Sequence, residues 1–230
     1  MKRARVFEKQ ELRNHSEVFQ DREEAGKVLA QMLEPRYGGR DDVTVLAIPA
    51  GGVPVGLQVR ERLGASFDLV IARKLKIPDN PEAGFGAMAY GGSLFLNKPL
   101  MEELRLDEGD VEAETAVVEV ELEKRDRLFR GGRPLPDLSG RAAILVDDGL
   151  ASGYTMLATI QMAKELGARV TVVAVPTAPQ RTIERIETEA DEIYCPNIRT
   201  GIFFAVADAY ASWYDLQEDE VLDLLQKNAG

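Results

Sequence analysis

The sequence predicts an α/β protein built on a parallel, Rossmann-like sheet with helices on both faces. Three observations carry that prediction. Short continuous apolar runs, as expected of buried parallel strands, recur at 43–48, 67–72, 142–147, 170–175 and 191–195. Segments with a helical apolar stripe lie between several of them. The runs at 43–48 and 142–147 end in loops built for ligands, one in glycines and one in two acids.

The elements follow in order. Residues 1–20 are polar and irregular, anchored only by Phe7, Leu12, Val18 and Phe19, and read as an arm or short helix. Residues 21–33 carry a helical stripe of Ala25, Val28, Leu29, Met32 and Leu33. The strand at 43–48 enters Pro49-Ala50-Gly51-Gly52. A helix then opens at Pro54, where proline is tolerated, and Gly64 closes it. After the strand at 67–72, residues 73–92 show no period and contain Pro78, Pro81, Gly84, Gly86, Gly91 and Gly92, so a long loop is expected. A short strand at 93–96 precedes a long acidic helix over 100–129, interrupted near Gly109, and a Gly/Pro connector at 130–140. Beyond the strand at 142–147 come a helix over 154–166 ended by Gly167, a strand at 170–175, a helix over 179–189 and a strand at 191–195. The tail holds Phe203, Phe204, Tyr210, Trp213 and Tyr214, then an acidic helix from Glu218. The expected division is an arm at 1–20, a core at 21–200 that includes the loop at about 74–92, and a C-terminal hood or tail at 201–230.

Composition narrows the function classes. The 230 residues suffice for one large α/β domain, and 45% hydrophobic with 29% charged content is ordinary for a globular chain. The single cysteine, Cys195, rules out an internal disulfide and a cysteine metal cage, which suits a reducing, cytoplasmic setting. No zinc-ligand spacing occurs, and the lone histidine, His15, sits in the polar arm. The opening is basic but no apolar run follows it, so neither a secretory signal nor a membrane span is expected. A net charge of −11 would repel nucleic acid and anionic lipid, so an anionic substrate needs local positive groups.

Residues 142–155 carry the most chemistry. An apolar run ends in Asp147 and Asp148, and a loop of Gly149, Leu150, Ala151, Ser152 and Gly153 leads to a helix start at Tyr154 and Thr155. At the carboxyl end of a parallel strand, carboxylates can accept from hydroxyls while a helix start offers amides to a phosphate. A sugar phosphate needs that pair of functions. A Walker B strand is the other reading of a terminal Asp-Asp, but no G-x-x-x-x-G-K-[ST] loop exists in the chain. A phosphoacceptor pocket would be expected on the first strand, and this pair falls after residue 140.

The segment resembles the phosphoribosyl pyrophosphate (PRPP) signature of type I phosphoribosyltransferases. The resemblance implies that fold, with a small hood and lid. It implies Asp147 and Asp148 on the ribose hydroxyls, with indirect contact to Mg²⁺ through those hydroxyls or water. It implies Ala151, Ser152, Gly153, Tyr154 and Thr155 around the 5′-phosphate. Ala50, Gly51 and Gly52 resemble the family's pyrophosphate loop, with Arg73 and Lys74 supplying local positive charge. The resemblance departs at Ala50, where relatives often carry a charged residue. Residues from about 74 to 92, including Glu82, Gly84, Phe85 and Gly86, correspond to a flexible lid that excludes water. Phe203, Phe204 and Trp213 are candidates to stack on a base, or else simply pack the tail onto the core.

The implied activity is transfer of a 5-phosphoribosyl group to or from a nitrogenous base, in nucleotide salvage, by a homodimeric enzyme. Ala151 stands where hypoxanthine-type relatives place an acid near the base, so the acceptor stays open. A PRPP-sensing regulator and a PRPP hydrolase are the alternatives.

Overall fold

A computed structural model describes residues 3–78 and 80–228, with the backbone alone at Pro81 and Glu82. In chain order the elements are β1 (Arg5–Phe7), α1 (Arg22–Tyr37), β2 (Val43–Ala47), α2 (Gly52–Leu63), β3 (Ser66–Leu69), β4 (Ala72–Ile77), β5 (Asn80–Ala89) and β6 (Leu94–Leu96). There follow α3 (Lys98–Leu104), α4 (Glu108–Arg130), β7 (Ala142–Val146), α5 (Tyr154–Glu165), β8 (Val170–Ala174) and β9 (Thr177–Pro179). The last are α6 (Gln180–Ile186), β10 (Glu192–Tyr194), β11 (Asn197–Arg199) and α7 (Glu218–Lys227).

The expected parallel sheet is present: six strands in the order β1-β10-β8-β7-β2-β3, every pairing parallel. Side chains alternate between its faces, as strand geometry requires. Val43 and Val45, Ala142, Ile144 and Val146, and Val172 and Ala174 pack under α1 and α2 with Leu29, Leu33, Val55 and Val59. Leu46, Leu145 and Val173 face the opposite layer, where α5 and α6 supply Met156, Leu157, Ile160, Ile183 and Ile186. Both faces are therefore dry, and continuous apolar runs are what such strands must be made of.

Four expectations change. The segment at 73–92 is not an irregular loop over its described residues. Its first part is a hairpin, β4 against β5, which β6 extends to a three-stranded antiparallel sheet. Phe85 is wholly buried within it, beside Leu75, Leu122 and Phe129. The glycines that suggested a loop serve close strand approach instead: a β-carbon on Gly86 would lie 2.3 Å from the Phe95 carbonyl oxygen. Second, the strand expected at 67–72 divides into β3 of the main sheet and the start of the hairpin. Third, the interruption expected near Gly109 is present but falls at residues 105–107, where Arg105 takes a left-handed conformation and Asp107 caps α4 with a reciprocal Asp110 capping box. Fourth, the polar arm contributes β1 to the sheet edge, because Arg5 to Phe7 pair with Glu192 to Tyr194.

Together the hairpin sheet, α4 and α7 form a hood with its own apolar cluster, joined to the sheet through α2. A fourth cluster ties the arm to the tail: Phe19, Ala25, Ala209, Tyr210 and Trp213 pack together, and Phe19 bridges Tyr210.

Candidate functional site

The site forms at the carboxyl ends of β2 and β7, which are neighbours in register (Ala47 opposite Val146). Residues 48–52 leave β2 and Asp147-Asp148 leave β7 side by side, stitched by the Ile48 amide donating to the Val146 carbonyl at 2.9 Å. The peptide bond between Pro49 and Ala50 is cis. A β-carbon at Gly52 would meet the Val146 carbonyl oxygen at 2.7 Å and Asp147 Cα at 3.0 Å. One at Gly51 would meet Asp148 Oδ2 at 1.8 Å. These glycines thus let two loops pass in contact, a demand the sequence does not reveal. The Gly52 amide donates to the Ile48 carbonyl (3.0 Å), so Gly52 gives shape to the loop and leaves amide contacts to Ala50 and Gly51.

A cavity of about 420 Å³ opens beside the strand ends, lined by Pro49, Arg73, Lys74, Lys76, Glu121, Asp147 and Thr155 among others. It joins residues from four separate parts of the chain: the β2 loop, the basic edge of β4, α4 of the hood, and the β7–α5 turn. The buried Arg73 Nε has no hydrogen-bond partner among the described residues; Glu121 Oε2 lies 3.9 Å away. An anion entering this cavity would find an unused donor.

The two acids differ. Asp147 lines the cavity, and its Oδ1 accepts from the Asp148 amide at 2.8 Å. Burial pushes its carboxyl well above the usual carboxylate range, and the neighbouring Asp148 charge pushes the same way. Asp148 turns toward α1, where Oδ2 accepts from Arg22 Nε at 2.8 Å. Burial raises this carboxyl too, while Arg22 opposes the rise. The Tyr210 hydroxyl donates to the Asp148 carbonyl oxygen at 2.5 Å.

The turn into α5 is held from α6. Thr182 Oγ1 donates to the Ala151 carbonyl (2.6 Å) and Arg185 Nη1 to the Ser152 carbonyl (2.5 Å). Gly153 sits at φ 79°, a left-handed conformation that suits glycine, and no side chain caps the helix start. The amides of the first turn point out of the helix end, with Thr155 half-buried at the cavity wall. Tyr154 differs from expectation, because its side chain is buried, stacks on Phe95 and accepts at its hydroxyl from Asn97 (2.6 Å). Its side chain belongs to the core.

Among the remaining expected residues, Gly84, Phe85 and Gly86 lie within β5, and the Glu82 side chain lies outside the described residues. Phe203 is 91% exposed and Phe204 half-buried. Trp213 packs its ring against Arg22 (4.0 Å) and Tyr210 (5.2 Å), so the packing alternative describes it. Sequence reasoning missed Arg22, Lys76, Glu121, Thr182, Arg185 and the Tyr210 hydroxyl. Only Lys76 had a local signal, since it stands two residues beyond Lys74 on the same basic strand.

Acids and an uncapped helix start at a central parallel strand end, facing a basic hairpin, make an arrangement able to take a phosphorylated sugar. The phosphoribosyl transferase domain model matches residues 15–210, and the chain belongs to the type I phosphoribosyltransferase family. Proteins of two Mycobacterium tuberculosis strains, each named "Putative phosphoribosyl transferase", are 38% identical over 210 residues, covering 91% of this chain and 47% of their own length. This chain therefore spans about half the length of those curated relatives. The crystal structure of TT1426 from Thermus thermophilus is 36% identical with a TM-score of 0.76, over 92% of this chain and 99% of that one. A hypoxanthine phosphoribosyltransferase from Staphylococcus aureus, 11% identical with a TM-score of 0.50 over 87% of each chain, shares the fold.

Proposed function

We propose that this phosphoribosyltransferase-family protein binds PRPP with Mg²⁺ and transfers the 5-phosphoribosyl group to or from a nitrogenous base, with pyrophosphate as co-product. The observation that carries the reading is the cavity that joins Asp147 and Thr155 to Arg73 and Lys74. In one space it offers a carboxylate for hydroxyls, a helix start for a monophosphate and cations for a diphosphate.

In this reading the 5′-phosphate rests on the turn from Ala151 to Thr155, chiefly on backbone amides and the Ser152 and Thr155 hydroxyls. Asp147 and Asp148 orient the ribose. Arg73 and Lys74, joined by Lys76, receive the diphosphate, and Ala50 and Gly51 close against it. The reaction breaks the bond between ribose C1 and the pyrophosphate oxygen, whose electron pair leaves with pyrophosphate. A ring nitrogen of the base forms the new bond to C1. The ring carries positive charge as the old bond breaks; that charge favours the ionised form of Asp147, which burial otherwise opposes, and the carboxylate offsets it in turn.

Among the described residues no group of three or more His, Cys, Asp or Glu could cage a metal. The hard oxygens at hand are those of Asp147 and Asp148, which fits Mg²⁺ held mostly by diphosphate, ribose hydroxyls and water. When bound there, the ion neutralises the diphosphate. Phe203 stands as the base-stacking candidate with an exposed ring. The reading extends to a cytoplasmic homodimer, and light scattering of the purified protein would test the dimer.

The deciding experiment measures pyrophosphate release from PRPP with and without a panel of nucleobases. Release that requires a base supports transfer. Release without one would make the protein a hydrolase, and tight PRPP binding without release a sensor. The double change Asp147→Asn with Asp148→Asn is expected to abolish PRPP binding while the fold persists, and unchanged affinity would end the assignment.

A further inference from the structure

The acid pair has a buried cation behind it that no motif announces. Arg22 is the first residue of α1, far from Asp148 in sequence, and is only 8% exposed. Its planar group makes three contacts together. Nε donates to Asp148 Oδ2 at 2.8 Å, Nη1 donates to the Tyr214 carbonyl at 2.9 Å, and the guanidinium lies 4.0 Å from the Trp213 ring centre. The Asp148 carboxylate also occupies the space that Gly51 leaves by having no β-carbon, and its backbone carbonyl accepts from Tyr210.

We infer that Arg22 is the positioning residue for Asp148: by holding Oδ2 it fixes the orientation in which this carboxylate meets the ribose, and so controls affinity for the sugar half of PRPP more than for the diphosphate half. This rests on the PRPP reading above. The physical reason is the rigidity of the fork. A carboxylate on a two-bond side chain can rotate, and a guanidinium already locked to a backbone carbonyl and an aromatic face removes that freedom. A lysine, as a flexible point charge, can reach Asp148 but cannot reproduce the paired contact with Tyr214. The diphosphate cations Arg73, Lys74 and Lys76 stand on β4, whereas the partners of Arg22 are Asp148, Trp213 and Tyr214. The ribose acid and the diphosphate cations are therefore held by different elements, and Gly51 is where the two sites touch.

A purely stabilising role makes a different prediction. If Arg22 only neutralised a buried acid, its loss would lower stability and weaken both halves alike, or neither. Calorimetry of the full chain with PRPP, and separately with inorganic pyrophosphate, each in the presence of MgCl₂, distinguishes the two. For Arg22→Gln the PRPP Kd is expected to rise about tenfold, and for Arg22→Lys about threefold, with the pyrophosphate Kd within about twofold of the parent. An unchanged PRPP Kd in Arg22→Gln, or equal weakening of PRPP and pyrophosphate, would overturn the inference. Should Arg22→Gln fail to fold, the same pair of ratios in Arg22→Lys decides the matter. A parent protein that takes up no PRPP overturns the PRPP reading and this inference together. A parent that binds, alongside variants that bind as well, overturns the inference alone.

Discussion

A β-carbon at position 51 would lie 1.8 Å from Oδ2 of Asp148, so Gly51 and Asp148 share a space that only glycine leaves open. The backbone of Gly51 is ordinary, at φ −61° and ψ −32°, and any residue could adopt it. The requirement is one of room rather than of conformation, which makes the substitution clean to interpret. Gly51→Ala should displace the Asp148 carboxylate from Arg22. Overpacking of this kind costs about 1–3 kcal/mol, and PRPP affinity should fall at least tenfold. Urea unfolding and calorimetry measure the two quantities. A variant with parental values of both would show that the acid is free to swing elsewhere.

Glu121 stands in the wall of a cavity otherwise edged by Arg73, Lys74 and Lys76. Its carboxylate is 3.9 Å from Arg73 Nε, with both side chains about two-fifths exposed, so the pair adds little to stability. For an incoming diphosphate it is a like charge at short range. Glu121→Gln should therefore tighten pyrophosphate binding about threefold to tenfold, more at low salt than at high, with little change in melting temperature. Weaker binding in this variant would mean that the acid holds Arg73 in its working position.

Much of the core was legible in the sequence, and the reason is geometric. Strands such as Ala142–Val146 are covered on both faces, so each residue had to be apolar and the run announced itself. The turn after it was legible because Asp147, Asp148 and the small residues to Gly153 are contiguous. The hood was not. Phe85 is fully buried, yet Gly84 and Gly86 flank it because β4 and β6 approach too closely for side chains there. Glycine needed for close approach reads the same as glycine needed for a flexible turn. Arg22 was hidden for another reason. Its partner Asp148 is distant in the chain, and nothing at position 22 beyond a helix start marks it.

Phe85 gives the direct test of the hood's structure. A side chain on a mobile loop could be truncated at little cost, whereas this one sits among Leu75, Leu122 and Phe129. Phe85→Ala should cost about 3–5 kcal/mol, the usual loss for a large core aromatic. Amide exchange at residues 85–89 of the parent protein should be slow, since these residues are buried in a paired strand. A loss below about 1 kcal/mol with rapid exchange over 85–89 would restore the flexible lid.

Tyr210 allows the hydroxyl bond to the acid turn to be separated from the packing around it. The ring lies 5.9 Å from Phe19 and 5.2 Å from Trp213, contacts that a phenylalanine would keep. Only the hydroxyl reaches the Asp148 carbonyl oxygen. Burial raises the phenol well above its ordinary range, with the charge of Asp148 acting the same way, so the group remains a neutral donor under all physiological conditions. Tyr210→Phe leaves a half-buried carbonyl without that donor, and a loss of about 1–3 kcal/mol is expected in urea unfolding. The released turn should also weaken PRPP binding. The effect should be smaller than that of Arg22→Gln, because Tyr210 restrains the backbone of residue 148 and leaves its carboxylate paired. If Tyr210→Phe weakens PRPP binding more than Arg22→Gln does, the backbone of the turn, and not the carboxylate direction, governs the ribose end of the site.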